Sequence, residues 1–141
     1  MEILKVTPAN KFYPTMITFA WNNGKKAYIG FEKGQLNFFN LTFDKEYQVW
    51  RFVTSNYKPN ESIMKAVANM VIKYSRSFIQ EKLNSLNQEY EKYKKMITGN
   101  YERFEHDKTA TRYRILNLER AQRDIELFEK CWVGEKHEKV C

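Results

Sequence analysis

Two histidines, two cysteines, three prolines and five glycines are all that 141 residues hold of the types that most often carry catalysis, metal ligation or backbone breaks. Each shortage excludes something. His106 lies in the polar run Glu105-His106-Asp107 and His137 in a charged tail, so neither adjoins an apolar stretch that would tune its proton affinity. There is no Gly-x-Ser-x-Gly elbow, no glycine-rich phosphate loop and no carboxylate pair set apart from Lys and Arg. The expectation is a protein that is not an enzyme, with no catalytic residues and no cofactor. Cys131, His137 and Cys141 make at most three metal ligands without a close Cys-x-x-Cys pair, where a structural zinc site wants four. No metal is expected, and Cys131 reads as a reduced, half-buried thiol beside Trp132, with Cys141 in a frayed tail. Long apolar runs are also missing, which excludes a spanning helix, and Met1–Lys5 lacks the basic segment and apolar stretch of a secretory signal. The chain reads as cytoplasmic and unattached to membrane.

What is present is a hydrophobic content of 43%, too high for disorder, and 24 Lys and Arg against 17 Asp and Glu, for a formal charge of +7. Residues with AT-rich codons (Lys, Asn, Phe, Tyr, Ile) outnumber those with GC-rich codons (Ala, Arg, Gly, Pro) by 57 to 22. That balance suggests an AT-rich source genome, and a small basic chain of this kind reads as a product of a phage or mobile element.

The chain changes character near Pro59. Thirteen of the 22 aromatic residues precede it, among short runs punctuated by turn residues, whereas long segments of helical spacing follow it. Strands followed by helices predict an α+β fold: an N-terminal antiparallel β-meander of four to five strands over 1–57, then a long antiparallel helical hairpin over 60–133, with a flexible charged tail over 134–141, all in one domain. Asn23-Gly24 is a strong hairpin signal, read as a two-residue turn that sets Trp21 opposite Lys26 and Phe19 opposite Tyr28. Lys33-Gly34 makes the next turn. In that register one face gathers Met16, Ala20, Ala27, Ile29, Phe31, Leu36 and Phe38. The other gathers Ile17, Phe19, Trp21, Lys26, Tyr28, Phe39, Leu41 and Phe43. Both are apolar, so something must cover each.

Apolar positions from Ile63 through Val67, Met70, Tyr74 and Phe78 to Ile97 keep a heptad seam, and Leu118, Ala121, Ile125, Phe128 and Trp132 continue it in the second helix. Acidic Asp124, Glu126 and Glu129 at the end of that helix are expected beside Lys65 and Lys73. Its basic start, with Lys108, Arg112 and Arg114, is expected at a hairpin tip with Lys92, Lys94 and Lys95.

Two surfaces therefore stand as candidates: Phe19, Trp21, Lys26 and Tyr28 on the aromatic sheet face, and Lys94, Lys95, Arg112 and Arg114 at the tip. Exposed aromatic rings with basic groups suit either a protein interface or unpaired bases. The leading expectation is a non-enzymatic inhibitor or adaptor of a protein or nucleoprotein machine, the anti-CRISPR type included. Direct binding of single-stranded DNA or RNA is the alternative. Two apolar faces and a seam longer than the sheet also predict a homodimer.

Overall fold

The computed structural model of the protein describes residues 1–97, 104–133 and 138–139. Five strands pair antiparallel in chain order: β1 (Glu2–Thr7), β2 (Thr15–Ala20), β3 (Lys26–Glu32), β4 (Gln35–Asp44) and β5 (Val49–Thr54). Two helices follow, α1 (Glu61–Ile97) and α2 (Phe104–Cys131), which is the α+β arrangement expected. Within the segment read as a flexible tail, Glu138–Lys139 (β7) pairs with Trp132–Val133 (β6). The other residues of that segment, His137 and Cys141 among them, lie outside the described residues.

The first hairpin differs from its expected form by one residue. Gly24 N–H donates to the Trp21 carbonyl, Trp21 N–H donates to the Lys25 carbonyl, and only Gly24, at φ +84°, is left-handed; Asn23 is not. A three-residue loop closed by a left-handed glycine therefore replaces the two-residue turn. Phe19 pairs with Ala27, Thr18 with Tyr28 and Ala20 with Lys26. Because side chains alternate, this slip carries all of β2 to the opposite face. Ile17 and Phe19 join Ile29, Phe31, Leu36 and Phe38 beneath the helices, and Met16 and Ala20 move to the other side.

Asn60 starts α1 by accepting the Ile63 N–H at its side-chain oxygen, 2.9 Å, the arrangement of an N-cap. The helix buries Val67, Ala68, Met70, Val71, Ser75, Ile79 and Leu83. Tyr74, expected on the seam, stays 45% exposed, because the buried stripe passes along Val71 and Ser75 instead. From α2, Thr111, Ile115, Leu118, Ala121, Ile125, Phe128 and Cys131 close the core.

The acidic end of α2 meets partners other than Lys65 and Lys73. Arg76 lies 3.7 Å from Glu126 and 3.8 Å from Glu129, Ser75 donates to Glu129, and Thr15 Oγ1 donates to Asp124 at 2.7 Å. Burial holds the Glu129 carboxyl above the ordinary carboxylate range, against the pull of Ser75 and Arg76. Cys131 is fully buried and disulfide-bonded, not a half-buried reduced thiol, and such bonds are rare in a reducing cytoplasm. Its sulfur sits 2.6 Å from where a Cβ on Gly34 would be, and Gly34 has φ +79°, so the second turn needs glycine on both counts.

Candidate functional site

β4 is ten residues long and serves two partners. Its first half, Gln35–Phe39, pairs with β3, and its second half, Phe39–Asp44, pairs with β5. The β4–β5 hairpin is thereby an arm beyond the helix-covered part of the sheet. Among the described residues, β5 contributes nothing to the core cluster.

On the face turned from the helices, the cross-strand pairs Leu41–Phe52 and Phe43–Trp50 continue a strip that begins with Tyr28 and Phe39. The rings touch in sequence. Phe52 lies 5.5 Å from Tyr13 and 5.4 Å from Tyr28, and Phe43 lies 5.2 Å from Trp50. Tyr13 reaches this face because Asn10 Oδ1 accepts the backbone N–H groups of Phe12 and Tyr13, folding the loop back over the sheet. Gly30 makes room for the Phe39 ring: a Cβ there would stand 2.5 Å from it and 2.9 Å from Met16. Trp50 is 65% exposed and Phe43 43%.

Where β3 and β4 part, a cleft of about 650 Å³ opens between Trp21, Lys26, Tyr28, Phe39, Leu41 and Tyr57. Three of the four sheet residues singled out from sequence thus share one opening, Trp21 and Tyr28 half-buried and Lys26 exposed. Phe19 does not join them; it is fully buried, and it holds Trp21 edge-on at 4.9 Å while Trp21 stacks parallel to Phe38. Among the described residues, Lys26 is the one charged group in the cleft wall. Sequence reasoning missed Phe43, Trp50 and Phe52 as site residues, although the alternation of Val49, Trp50, Arg51, Phe52 and Val53 contained the signal.

The basic tip is divided. Lys94, Lys95, Arg112 and Arg114 are all exposed. Lys95 lines a shallow depression with Gln88, Glu91 and Lys92, whereas Arg114 borders a groove against β1 with Leu4, Lys5, Phe78, Lys82 and Leu118. Residues two apart on a helix point to different sides, which is why Arg112 and Arg114 do not act as a pair. Between the helices Tyr93 stacks on Phe104 at 6.1 Å. Within α2, Glu105 lies 3.4 Å from Lys108. His106 is exposed. Among the described residues no group of three His, Cys, Asp or Glu is placed to hold a metal, and no helix is long and apolar enough to cross a membrane.

Comparison with protein-family models, with curated proteins and with solved structures gives no match for this chain.

Proposed function

We propose that the protein is a non-enzymatic binding protein, an adaptor or inhibitor that engages a protein or nucleoprotein assembly through the uncovered aromatic strip of its sheet. The observation that carries this reading is the arm: Phe43, Trp50 and Phe52 extend an aromatic surface past the helices. Contiguous exposed apolar patches rimmed by polar groups mark interaction sites, and Trp and Tyr dominate the energetics of such contacts. Residues 41–54 contain two acidic and two basic groups, so the arm offers no excess positive charge to a phosphate backbone.

Single-stranded nucleic acid remains the second reading, favoured by one feature, Lys26 beside Trp21 and Tyr28 in the cleft, where a base can stack and a phosphate can pair. The two readings separate in one experiment. Affinity capture from the native host is done with the wild type and with the Phe43→Ser/Trp50→Ser variant, alongside anisotropy of a labelled oligothymidylate across a salt series. The proposal expects a protein captured by the wild type and lost in the folded variant, with oligonucleotide binding absent. Oligonucleotide affinity that falls linearly with salt on logarithmic axes, and that Lys26→Glu abolishes, would overturn it in favour of the second reading.

A further inference from the structure

The two edges of the sheet are treated differently. β1 carries a register irregularity between Ile3 and Lys5, presents Lys5, runs into Pro8 and packs against α1. Bulges, lysines, prolines and covering helices are the devices that keep a strand edge from pairing with another chain. Among the described residues β5 carries none of the first three, and none of its residues belongs to the core cluster that the helices close. Its register with β4 is continuous over six pairs, and it contains neither Pro nor Lys. Its one charge, Arg51, is held by Asp44 at 3.0 Å and lies over the Tyr47 ring.

The free hydrogen-bonding groups of this edge can be assigned. Ser55 N–H donates to the Phe38 carbonyl, which makes Phe38–Ser55 a hydrogen-bonded pair. In an antiparallel ladder such pairs alternate, so Val49, Arg51 and Val53 bond inward to β4. The N–H and C=O groups of Trp50, Phe52 and Thr54 therefore face outward. Both faces of the strand are apolar too: Val49 and Val53 on the helix side are each 44% exposed, and Trp50 lies on the other. A partner lying flat on one face leaves the other wet, whereas a strand added at the edge brings neighbours to both.

We propose that β5 is the interface with a second copy of this chain, the two β5 strands pairing antiparallel about a two-fold axis through Phe52, so that two five-stranded sheets become one of ten strands. This goes beyond the proposed function and does not depend on it. The strand's own sequence selects the occupant and the register. A two-fold axis normal to the sheet preserves faces, so it must pass through a residue rather than between two. Placed at Arg51 it sets Arg51 against Arg51 of the other copy, like charges directly opposed. Placed at Phe52 it opposes Phe52 to itself, Trp50 to Thr54, and Arg51 to Val53, with no facing charges. It also matches the outward groups of Trp50, Phe52 and Thr54 to one another along the whole strand. The arm is neutral while the chain carries +7, so the copies meet where their mutual repulsion is least.

The register makes the test specific. Sedimentation velocity from 1 to 100 μM is run on the full chain, its Val53→Lys variant and its Val53→Glu variant. The wild type is expected to be dimeric. Val53→Lys faces a lysine with Arg51 of the other copy twice per dimer and should weaken dimerisation roughly tenfold. Val53→Glu faces the same arginine with a carboxylate and should keep the dimer. Amide exchange of the wild type decides independently of any variant: the Trp50, Phe52 and Thr54 amides should be protected at 100 μM and lose protection on dilution, with Arg51 and Val53 protected throughout. A wild type monomeric at 100 μM, equal effects of lysine and glutamate, or outward amides exchanging freely at high concentration would each overturn the proposal, and the first would leave the edge to a strand from a different protein.

Discussion

The sheet holds two populations of aromatic side chain in neighbouring strands. Phe19, Phe31 and Phe38 are no more than 8% exposed beneath the helices, while Phe43 and Trp50, on the extension of β4 and on β5, stand in the open. The difference is not composition, since both regions alternate large apolar groups. It is face and reach together: Phe19, Phe31 and Phe38 lie on the helix side, whereas Phe43 and Trp50 lie on the opposite face, on a stretch of β4 that continues past the last strand the helices cover. A ring's role here follows from its position relative to α1 and α2.

The most severe way to break this comparison is to remove one ring from each region. Phe19→Ala should cost about 3–5 kcal/mol in urea unfolding, because it leaves a cavity that nothing refills. Trp50→Ala should cost only about 0.5 kcal/mol, the ordinary range for an exposed position. Similar losses from the two would mean that the arm is structurally part of the core.

How much of this was legible in the sequence depends on how local each determinant is. The order of strands and the Lys33-Gly34 turn were readable because each is specified within a few residues. The face of β2 was not, because Asn23-Gly24 fits both a two-residue and a three-residue loop, and one residue of difference reverses the strand. Asn22, which lengthens the loop, was the signal available. The partners of Glu126 and Glu129 were unreadable for another reason: interhelical pairs depend on the stagger of two long helices, which packing at Ser75 and Ile79 sets. The aromatic strip was half legible. Tyr28 and Phe39 were placed on the right face, but the arm's exposure depends on where the helices stop.

A smaller perturbation sharpens the boundary between body and arm. Gly30→Ala puts a methyl group into the Phe39 ring and Met16, and should cost about 1–3 kcal/mol as an overpacked site. The displaced ring borders the cleft, so near-ultraviolet circular dichroism should change with the stability. An unaltered aromatic signal would show that Phe39 does not rest on Gly30.

The smallest effect expected is electrostatic and confined to the body. Burial raises the folded carboxyl of Glu129, so the native state binds its proton at a pH where the unfolded chain has released it. Across that window the native state holds more protons, and stability falls as pH rises from the ordinary glutamate range through the raised folded value. Glu129→Gln, which can still accept from Ser75, should remove this slope and leave a small gain in stability at neutral pH. Arg76 is exposed, so the lost ion pair offsets little of that gain. Denaturant titrations at several pH values would show it, and an unchanged slope would place the pH dependence elsewhere.

The order of the strands in the sheet is their order along the chain. Each strand can therefore join its predecessor as soon as it leaves the ribosome, and no pairing waits for a later strand. The cover does wait. α2 ends at Cys131, some seventy residues after Asn60, so at translation rates of about 5–20 residues per second the sheet's inner face waits on the order of ten seconds for its full cover. During birth the molecule is thus a two-sided apolar sheet, and Ile17, Phe19 and Ile29 are as accessible as Trp50. The exposed arm is the part of that condition which the finished fold retains.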